Sequence, residues 1–153
     1  MPRYVTDKLQ RVLNAAARVV SSTRKYNHGL RQLRLAELHW LNVADRVTFK
    51  LCMMVHKCLH SHAPDYLSEL CMLVDQVTER QHLRSASRRL LVVPRIQLDT
   101  YDRRAFAVNG PTVWNALSND LHDPELSTAS FGRLLKTHLF QQYSVHQVHC
   151  YTN

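Results

Sequence analysis

Apolar residues follow their most regular pattern in the middle of the chain. Between residues 43 and 60 they recur at the spacing of an α-helix and cover a little under half of its circumference, while basic residues gather on the opposite side. Asn42 can accept hydrogen bonds from the first turn, and Pro64 disfavours helical geometry in the residue before it. The pattern therefore predicts a long amphipathic helix over about 43–60 and a short second helix over about 64–74.

Helical spacing of apolar residues also predicts helices over about 6–22, 30–38 and 128–142. We expect the first of these to bury a face of six apolar residues, which are Leu9, Val12, Leu13, Ala16, Val19 and Val20. In the second helix the leucines should face inward, and Arg31 and Arg34 outward. Residues 143–153 show no such spacing, which predicts a frayed tail.

The middle of the second half has a different pattern. Residues 76–89 are polar and rich in arginine, which predicts a basic loop. The β-branched and aliphatic residues around Pro94 predict an edge strand, and the run RAFAV at 104–108 predicts a strand that returns beside it. A short helix that starts at Pro111 carries Trp114, which should anchor this hairpin to the helices. The segment 90–117 is thus predicted to be a hairpin followed by a short helix.

The composition favours one folded domain. A chain of 153 residues, 45% of them hydrophobic, is long enough to bury a core. Three glycines and five prolines are too few for a disordered or all-turn chain. We therefore predict a mainly α fold, a helical bundle-like single domain with a small β-hairpin near residues 90–108.

The sequence also predicts an intracellular protein. No run approaches the roughly 20 apolar residues that a membrane-spanning helix needs, so we expect no membrane partner. The first ten residues lack the apolar segment of a secretory signal. The four cysteines are then expected to be thiols in a reducing compartment, the nucleus or the cytoplasm, and the protein is not expected to be secreted.

The net charge of +8 is concentrated in two segments. Residues 1–42 contain eight Lys and Arg against two acids, and residues 76–110 contain seven against three. RNA or DNA is the usual partner of so basic a domain, although such charges can also form solvated faces only. Since aromatic side chains are few, binding should be mostly electrostatic and of low sequence specificity. The candidate contact residues are Arg24, Lys25, Tyr26, Arg31, Arg34, Arg84, Arg88, Arg89, Arg95, Arg103 and Arg104.

A stretch rich in cysteine and histidine within the predicted long helix raises the question of a metal site. Its members are Cys52, His56, Cys58, His60 and His62. Cys52 and His60 would lie about 12 Å apart along a helix, whereas zinc holds its donor atoms at about 2.0 to 2.3 Å. Because one helix can offer only two ligands, we expect no metal. Cys58 is interpreted as a small core residue and the histidines as rim residues.

Catalytic constellations are not recognisable in the sequence. Ser85 and Ser87 have His82 nearby but no acid partner and no glycine-bounded nucleophile turn. His138 lies on the apolar face of the last predicted helix, which is typical of a hydrogen-bonded core or rim histidine. Three glycines could hardly build a phosphate-binding loop. We therefore predict that the chain is not an enzyme and uses no cofactor.

Five blocks of sequence, in this order, resemble the C-terminal region of LINE-type non-LTR retrotransposon polyproteins, downstream of the reverse transcriptase domain. They are LQRVLNAAARVV, LAELHWLNVADRVTFKLCMMVHKCLHSHAPDYLSEL, LRSASRRLLVVPRI, RRAFAVNGPTVWNAL and SFGRLLKTHLF. The parts LHWLNVADRVTFK and APDYL are the most telling. The resemblance covers residues 6–140 and implies a parent protein that is an RNA-directed DNA polymerase, often with an endonuclease upstream.

The departures from that family define what this chain lacks. Its polymerases hold two metal ions with an Asp-Asp pair, and this sequence contains no Asp-Asp pair. The nearest acidic cluster, formed by Asp120, Asp123 and Glu125, lies in a turn-rich linker where we expect solvent exposure. The resemblance thus implies a remnant or tail without catalytic activity.

Three hypotheses follow from the resemblance. The first is that the chain binds nucleic-acid backbone, and the second is that it is a structural module that packs against the thumb and palm of the parent reverse transcriptase. The structural role predicts an exposed apolar patch on the first helix or on the turn around Trp40. The third hypothesis is a degenerate fragment with no independent function.

Overall fold

A computed structural model describes residues 3–24, 29–77, 88–94 and 105–148. Within these ranges the chain is mainly helical, which confirms the predicted fold class. The helices are α1 (Arg3–Val20), α2 (Leu30–Gln32), α3 (Val43–Leu59), α4 (Asp65–Ser68), α5 (Phe106–Asn115) and α6 (Thr128–Val148). Among the described residues, Val74–Gln76 and Asn119–His122 form 3-10 turns. None of the helices in the described ranges combines the length and the apolar character that crossing a membrane requires.

Helix α3 begins and ends within one residue of the bounds that its pattern predicts, because both ends are fixed locally. The carbonyl of Asn42 accepts the first hydrogen bond of the helix at 2.9 Å. At the other end Ser61 has a φ of 57°, and the His62 N–H donates to the Lys57 carbonyl at 2.8 Å. This left-handed closure ends the helix before Pro64.

Helix α2 continues into a widened π-turn, Leu33–Glu37. The Leu38 N–H donates to the carbonyl of Leu33, five residues earlier, at 3.0 Å. A turn of this kind holds one residue more than an α-helical turn. Arg31 is exposed and Arg34 is buried, although residues three apart in a regular α-helix share a face. Where the helix widens into the π-turn, Arg31 therefore lies at the surface and Arg34 in the interior.

The predicted β-hairpin near residues 90–108 is wrong in its second strand. Residues 106–108 belong to α5 and are helical. Leu91, in the predicted first strand, forms an isolated antiparallel bridge with Leu73, which lies after α4. Residues 95–104 lie outside the described ranges. A run as short as this cannot be assigned to a strand or a helix from its periodicity alone, and residues 106–108 pack as the first turn of α5.

Helix α5 passes through Pro111, where the sequence predicted that a helix would begin. A proline crowds the side chain of the residue before it, and Gly110 has none. A Cβ atom at Gly110 would also lie 3.1 Å from the Phe106 ring and 3.2 Å from Cγ2 of Val55. Gly110 therefore allows both the continuation of α5 and its close packing on α3.

Two side chains at the C-terminal end of α5 hold the 88–94 segment. The Asn115 side chain accepts the Leu91 N–H at 2.8 Å through Oδ1 and donates to the Leu91 carbonyl at 2.9 Å through Nδ2. The buried Trp114 donates its Nε1–H to the Arg89 carbonyl at 3.1 Å. Trp114 thus anchors an extended segment to α5, rather than a hairpin.

The chain divides into two compact units. Unit 1 comprises the described residues of Met1–Val47 and Thr137–Asn153, and unit 2 comprises those of Thr48–Lys136. Helix α6 reaches Val148, so residues 143–148, predicted to fray, are helical and belong to unit 1. The prediction of one domain overall stays a prediction.

The core of unit 2 combines aliphatic side chains with packed rings. Phe131 is fully buried, and its ring centroid lies 4.3 Å from that of His56 and 5.7 Å from that of Trp114. His56 in turn stacks on His60 at 4.0 Å. Rings at such distances contribute beyond the area that they bury, so this cluster is the centre of unit 2.

Helix α1 buries a different face from the one that its apolar spacing predicts. Val12 and Val19 are 67% and 80% exposed, and Ala17 is the residue that is fully buried. The reason is that Gln10 and Asn14 make hydrogen bonds inside unit 1, which turns their side of the helix inward. We call the exposed residues the α1 apolar face; they are Leu9, Val12, Val19 and Val20.

Candidate nucleic-acid interface

The structure describes five of the eleven residues predicted to bind nucleic acid. Arg24, Arg31 and Arg88 are exposed, Arg89 is half-buried and Arg34 is buried. The other six lie outside the described ranges; they are Lys25, Tyr26, Arg84, Arg95, Arg103 and Arg104. Three exposed arginines and one half-buried arginine are therefore available for a surface contact in the described part of the chain.

The prediction that Arg34 faces outward is wrong. Its side chain is only 4% exposed, and its Nη1 and Nη2 groups donate to the side-chain oxygens of Asn14 and Asn42. Burial, assisted by the positive charges of Arg31 and Arg46, lowers the pKa of the Arg34 guanidinium. Arg34 therefore holds unit 1 together and does not belong to a surface for nucleic acid.

Tyr143 of α6 joins the same polar cluster. Its hydroxyl donates to the carboxylate of Asp45 and accepts the Asn42 N–H at 3.3 Å. Burial raises the pKa of the Asp45 carboxyl above its ordinary value. We call this cluster the polar core of unit 1; it consists of Asn14, Arg34, Asn42, Asp45 and Tyr143. One end of α6 is thus tied to α1, to the π-turn and to the start of α3.

A cleft of about 510 Å³ opens in unit 1 beside the exposed Arg31, and we call it the aromatic-basic cleft. The Cζ atom of Arg31 lies 5.7 Å from the centroid of the Tyr143 ring, within the range of a cation–π contact. The Phe140 ring lies 6.2 Å from that of Tyr143 at 57°, and His39 lies 6.3 Å from Phe140 at 66°. The described residues that line the cleft include no acid. One guanidinium and three ring systems therefore share one concave surface.

The sequence did not reveal this cleft. Residues 143–153 were predicted to be frayed, and Phe140 was not assigned to any site. The available signal was the spacing of Phe140 and Tyr143, which places both on one side of a helix. Their meeting with Arg31, more than one hundred residues earlier in the chain, depends on the fold of unit 1.

A second cleft, of about 270 Å³, lies in unit 2 and contains Arg88 and Arg89; we call it the arginine cleft. The Arg88 Nε–H donates to Oδ1 of Asn119 at 3.0 Å, which orients the guanidinium. Arg89 has a φ of 51°, an uncommon conformation for a residue with a side chain, and Trp114 binds its carbonyl. A guanidinium oriented as that of Arg88 is can pair with phosphate oxygens.

The lining of the arginine cleft also includes one histidine and one acid. His122 is 5% exposed and donates its Nε2–H to the Trp114 carbonyl at 3.0 Å, while its buried Nδ1 has no hydrogen-bond partner among the described residues. The Asp123 carboxylate accepts the Glu125 N–H at 2.9 Å. The Asp123 carboxylate lies in the same lining and repels an anion, so it opposes the two arginines there.

Three cysteines and one histidine are buried packing residues in unit 2; they are Cys52, Cys58, Cys71 and His56. Burial raises the pKa of Cys52 and of Cys71 to about 12, which keeps both as thiols. Cys58 is buried, as expected, but His56 is only 1% exposed, so its interpretation as a rim residue is wrong. Burial also lowers the pKa of His56 to about 4. The described ranges contain no group of three or more side chains that could hold a metal ion.

The structure also shows the exposure of the other polar residues that the sequence analysis considered and that lie in the described ranges. Asp120, Asp123 and Glu125 are exposed, as predicted. His138 is half-buried, and its Nε2 accepts a hydrogen bond from the Gln142 side-chain amide at 3.2 Å. His82, Ser85 and Ser87 lie outside the described ranges.

Comparison of the chain with known protein families, curated proteins and solved structures identifies no relative. No family model matches the chain, and neither a curated protein nor a solved structure shows significant similarity to it. The resemblance to LINE-type polyproteins therefore rests on the five sequence blocks. The two clefts and the positive charge are the features of the chain that bear on its function.

Proposed function

We propose that this chain is a non-catalytic tail of a LINE-type reverse transcriptase and that it binds the backbone of RNA or DNA. The parentage is supported by the five sequence blocks and their order. The binding is supported above all by the arginine cleft, where Arg88 and Arg89 stand side by side with Asn119 orienting one guanidinium. Arg24 and Arg31 supply further exposed positive charge in the described ranges.

The chemistry of this proposal is phosphate pairing. A guanidinium offers several N–H donors and a permanent charge, so it binds phosphate oxygens without reading the bases. Each phosphate that is neutralised releases a counterion, and the affinity therefore falls linearly with salt on logarithmic axes. Buried Arg34 takes no part in the contact surface.

The test is a salt titration of binding measured by fluorescence anisotropy with labelled single-stranded RNA and duplex DNA. We expect a slope of several units for the unmodified chain, and the triple variant R24E/R31E/R88E should lower the slope by about three, since each phosphate contact contributes about 0.9. A matched control reverses three exposed charges elsewhere, R11E/K50E/K57E. Equal slopes for the two triple variants would contradict the assignment of the contact residues. Absence of binding at low salt by the folded chain would remove the proposed function and leave a fragment without independent activity.

A second candidate function is favoured by the α1 apolar face. Four aliphatic side chains on one side of a helix are exposed, as the hypothesis of a structural module requires. The occupant would be the parent reverse transcriptase domain, which would cover the valines and exclude water from them. This candidate makes the chain a packing element of a larger protein.

Light scattering of the purified chain tests this second candidate. We expect concentration-dependent association without the parent domain, and the variant V12K/V19K should remain monodisperse. The control Y66K changes an exposed apolar residue of unit 2 and should leave the association unchanged. A monodisperse unmodified chain at high concentration would contradict the structural role.

A further inference from the structure

We propose that the aromatic-basic cleft of unit 1 binds an unpaired base of single-stranded nucleic acid, with Arg31 on the adjacent phosphate. The inference deepens the proposed function and rests on it, because it names the form of nucleic acid that the chain prefers. It assigns to the chain a stacking site in addition to the electrostatic surface.

The ring geometry supports a planar ligand. The rings of Phe140 and Tyr143 meet at 57°, and those of Phe140 and His39 meet at 66°. Walls at such angles accept a flat heteroaromatic ring that stacks on one side chain and meets the edge of another. The cleft volume of about 510 Å³ lies within the range of small-ligand sites, which is about 300 to 1,000 Å³.

The charge of the cleft selects for an anion beside the base. Arg31 is exposed at the cleft and lies 5.7 Å from the Tyr143 ring centroid, so its guanidinium is close to the aromatic wall. The described lining residues carry no opposing carboxylate. A nucleotide could thus place its phosphate on Arg31 and its base on the rings.

The cleft is supported by fixed elements. The hydroxyl of Tyr143 is bonded to Asp45 and to the Asn42 N–H, which holds its ring in place before any ligand arrives. Arg31 precedes the π-turn, whose Arg34 is bonded to Asn14 and Asn42. A site on supported side chains loses less conformational entropy on binding.

Duplex nucleic acid should not use this site. Its bases are stacked on each other, and extruding one costs a few kcal/mol. The duplex would therefore bind only through arginine contacts to its phosphates. A preference for unpaired strands is thus the distinguishing property of the cleft.

The decisive experiment compares two labelled single strands of about ten nucleotides, the scale of a single-strand site. One carries bases, and the other is abasic with the same number of phosphates. Anisotropy titration of the full chain at one salt concentration should show about tenfold tighter binding of the strand with bases, as expected for stacking of one base. Duplex DNA should bind through its phosphates alone, so replacing a ring of the cleft should leave its affinity unchanged.

Variants locate the effect. Phe140→Leu removes one ring, and His39→Asn removes another while keeping a residue that tolerates the left-handed φ of 52°. Each should bring the ratio of the two affinities towards one while leaving the binding of the abasic strand unchanged. The control Tyr4→Leu removes an exposed tyrosine that also has a basic partner, Lys8 at 5.8 Å, but lies outside the cleft. Circular dichroism checks that each variant is folded.

The outcomes separate the two proposals. Equal affinity for both strands, with a normal salt slope, would overturn the stacking site and leave the electrostatic function standing. A base preference that survives in Phe140→Leu and in His39→Asn would place stacking elsewhere and also overturn the inference. No binding of either strand would remove the proposed function together with the site.

Discussion

The two units of this chain are held together by different chemistry. Unit 2 is built around rings and aliphatic side chains, with Phe131 fully buried between His56 and Trp114. Unit 1 contains a partly buried polar network, in which Arg34 binds two asparagines and Tyr143 binds Asp45. It also exposes aliphatic residues of α1 that a larger core would have covered.

The two units should differ in how far their stability depends on particular hydrogen-bond partners. An apolar core tolerates many substitutions of similar volume, whereas a buried polar network is stable only while every member keeps its partner. Unit 1 should therefore respond sharply to the loss of single hydrogen bonds, and unit 2 to the loss of volume.

The largest expected effect is the loss of volume in unit 2. Replacing Phe131 with alanine should lower the free energy of unfolding by about 3 to 5 kcal/mol, because it removes a fully buried ring and leaves a cavity. Urea denaturation followed by circular dichroism measures this change. The control is Leu134→Ala on the same helix, where the side chain is 46% exposed and the loss should be small. Equal losses for the two variants would contradict the assignment of the core.

Acid should act next most strongly, again on unit 2. Burial lowers the pKa of His56 to about 4, so the neutral ring stabilises the fold fully above pH 6.5. This stability is lost as the pH falls from 6.5 through about 4, and the total change is about 3 kcal/mol, since each pKa unit corresponds to about 1.4 kcal/mol. Urea midpoints across this range measure it, and His56→Phe should remove the dependence. A pH-independent midpoint in the unmodified chain would refute the prediction.

In unit 1 the corresponding change is the removal of Arg34. Arg34→Ala should cost about 2 kcal/mol, because two hydrogen bonds from a charged group are lost and the oxygens of Asn14 and Asn42 lose their donors. The matched control is Arg31→Ala, which removes an exposed arginine and should change the free energy of unfolding by less than about 0.5 kcal/mol. Denaturation curves that order these variants the other way would contradict the polar core.

The smallest expected effect concerns Asp45 and has the opposite sign to that of His56. Burial raises the pKa of this carboxyl, so its contribution is fully present below pH 3.8 and is lost as the pH rises through the folded-state pKa. Asp45→Asn keeps an acceptor for Tyr143 and removes the charge, and it should change stability at neutral pH by no more than about 1 kcal/mol. Its urea midpoint should lose the corresponding part of the pH dependence. A large destabilisation at neutral pH would show that the ionised carboxylate is needed.

Local signals predicted some elements well. The course of α3 follows from the apolar period and from the break before Pro64, both of which act within a few residues. The predicted side-chain cap at Asn42 is wrong, because its Oδ1 accepts from Arg34 instead. The course of α1 was also close to the prediction, but the face that it buries was not. Gln10 and Asn14 turn inward because Arg34 and Val43 offer them partners, and a helical period carries no information about such partners.

The candidate sites were predictable only in part. The adjacent Arg88 and Arg89 are visible in the sequence, and the structure places both in one cleft. The approach of Arg31 to Phe140 and Tyr143 was not predictable, since it requires α6 to return beside the start of the chain within unit 1. RAFAV was assigned to a strand because nothing within five residues indicates the contacts that make residues 106–108 helical.

The π-turn after α2 has a consequence for how the gene can change. A one-codon deletion within Leu33–Glu37 would restore a regular helical register. The residues before it would then rotate by about 100° relative to those after it. Arg34 could no longer reach both asparagines while Arg31 stays at the cleft. A change in the length of this turn thus displaces both arginines together, whereas a substitution within it changes one side chain.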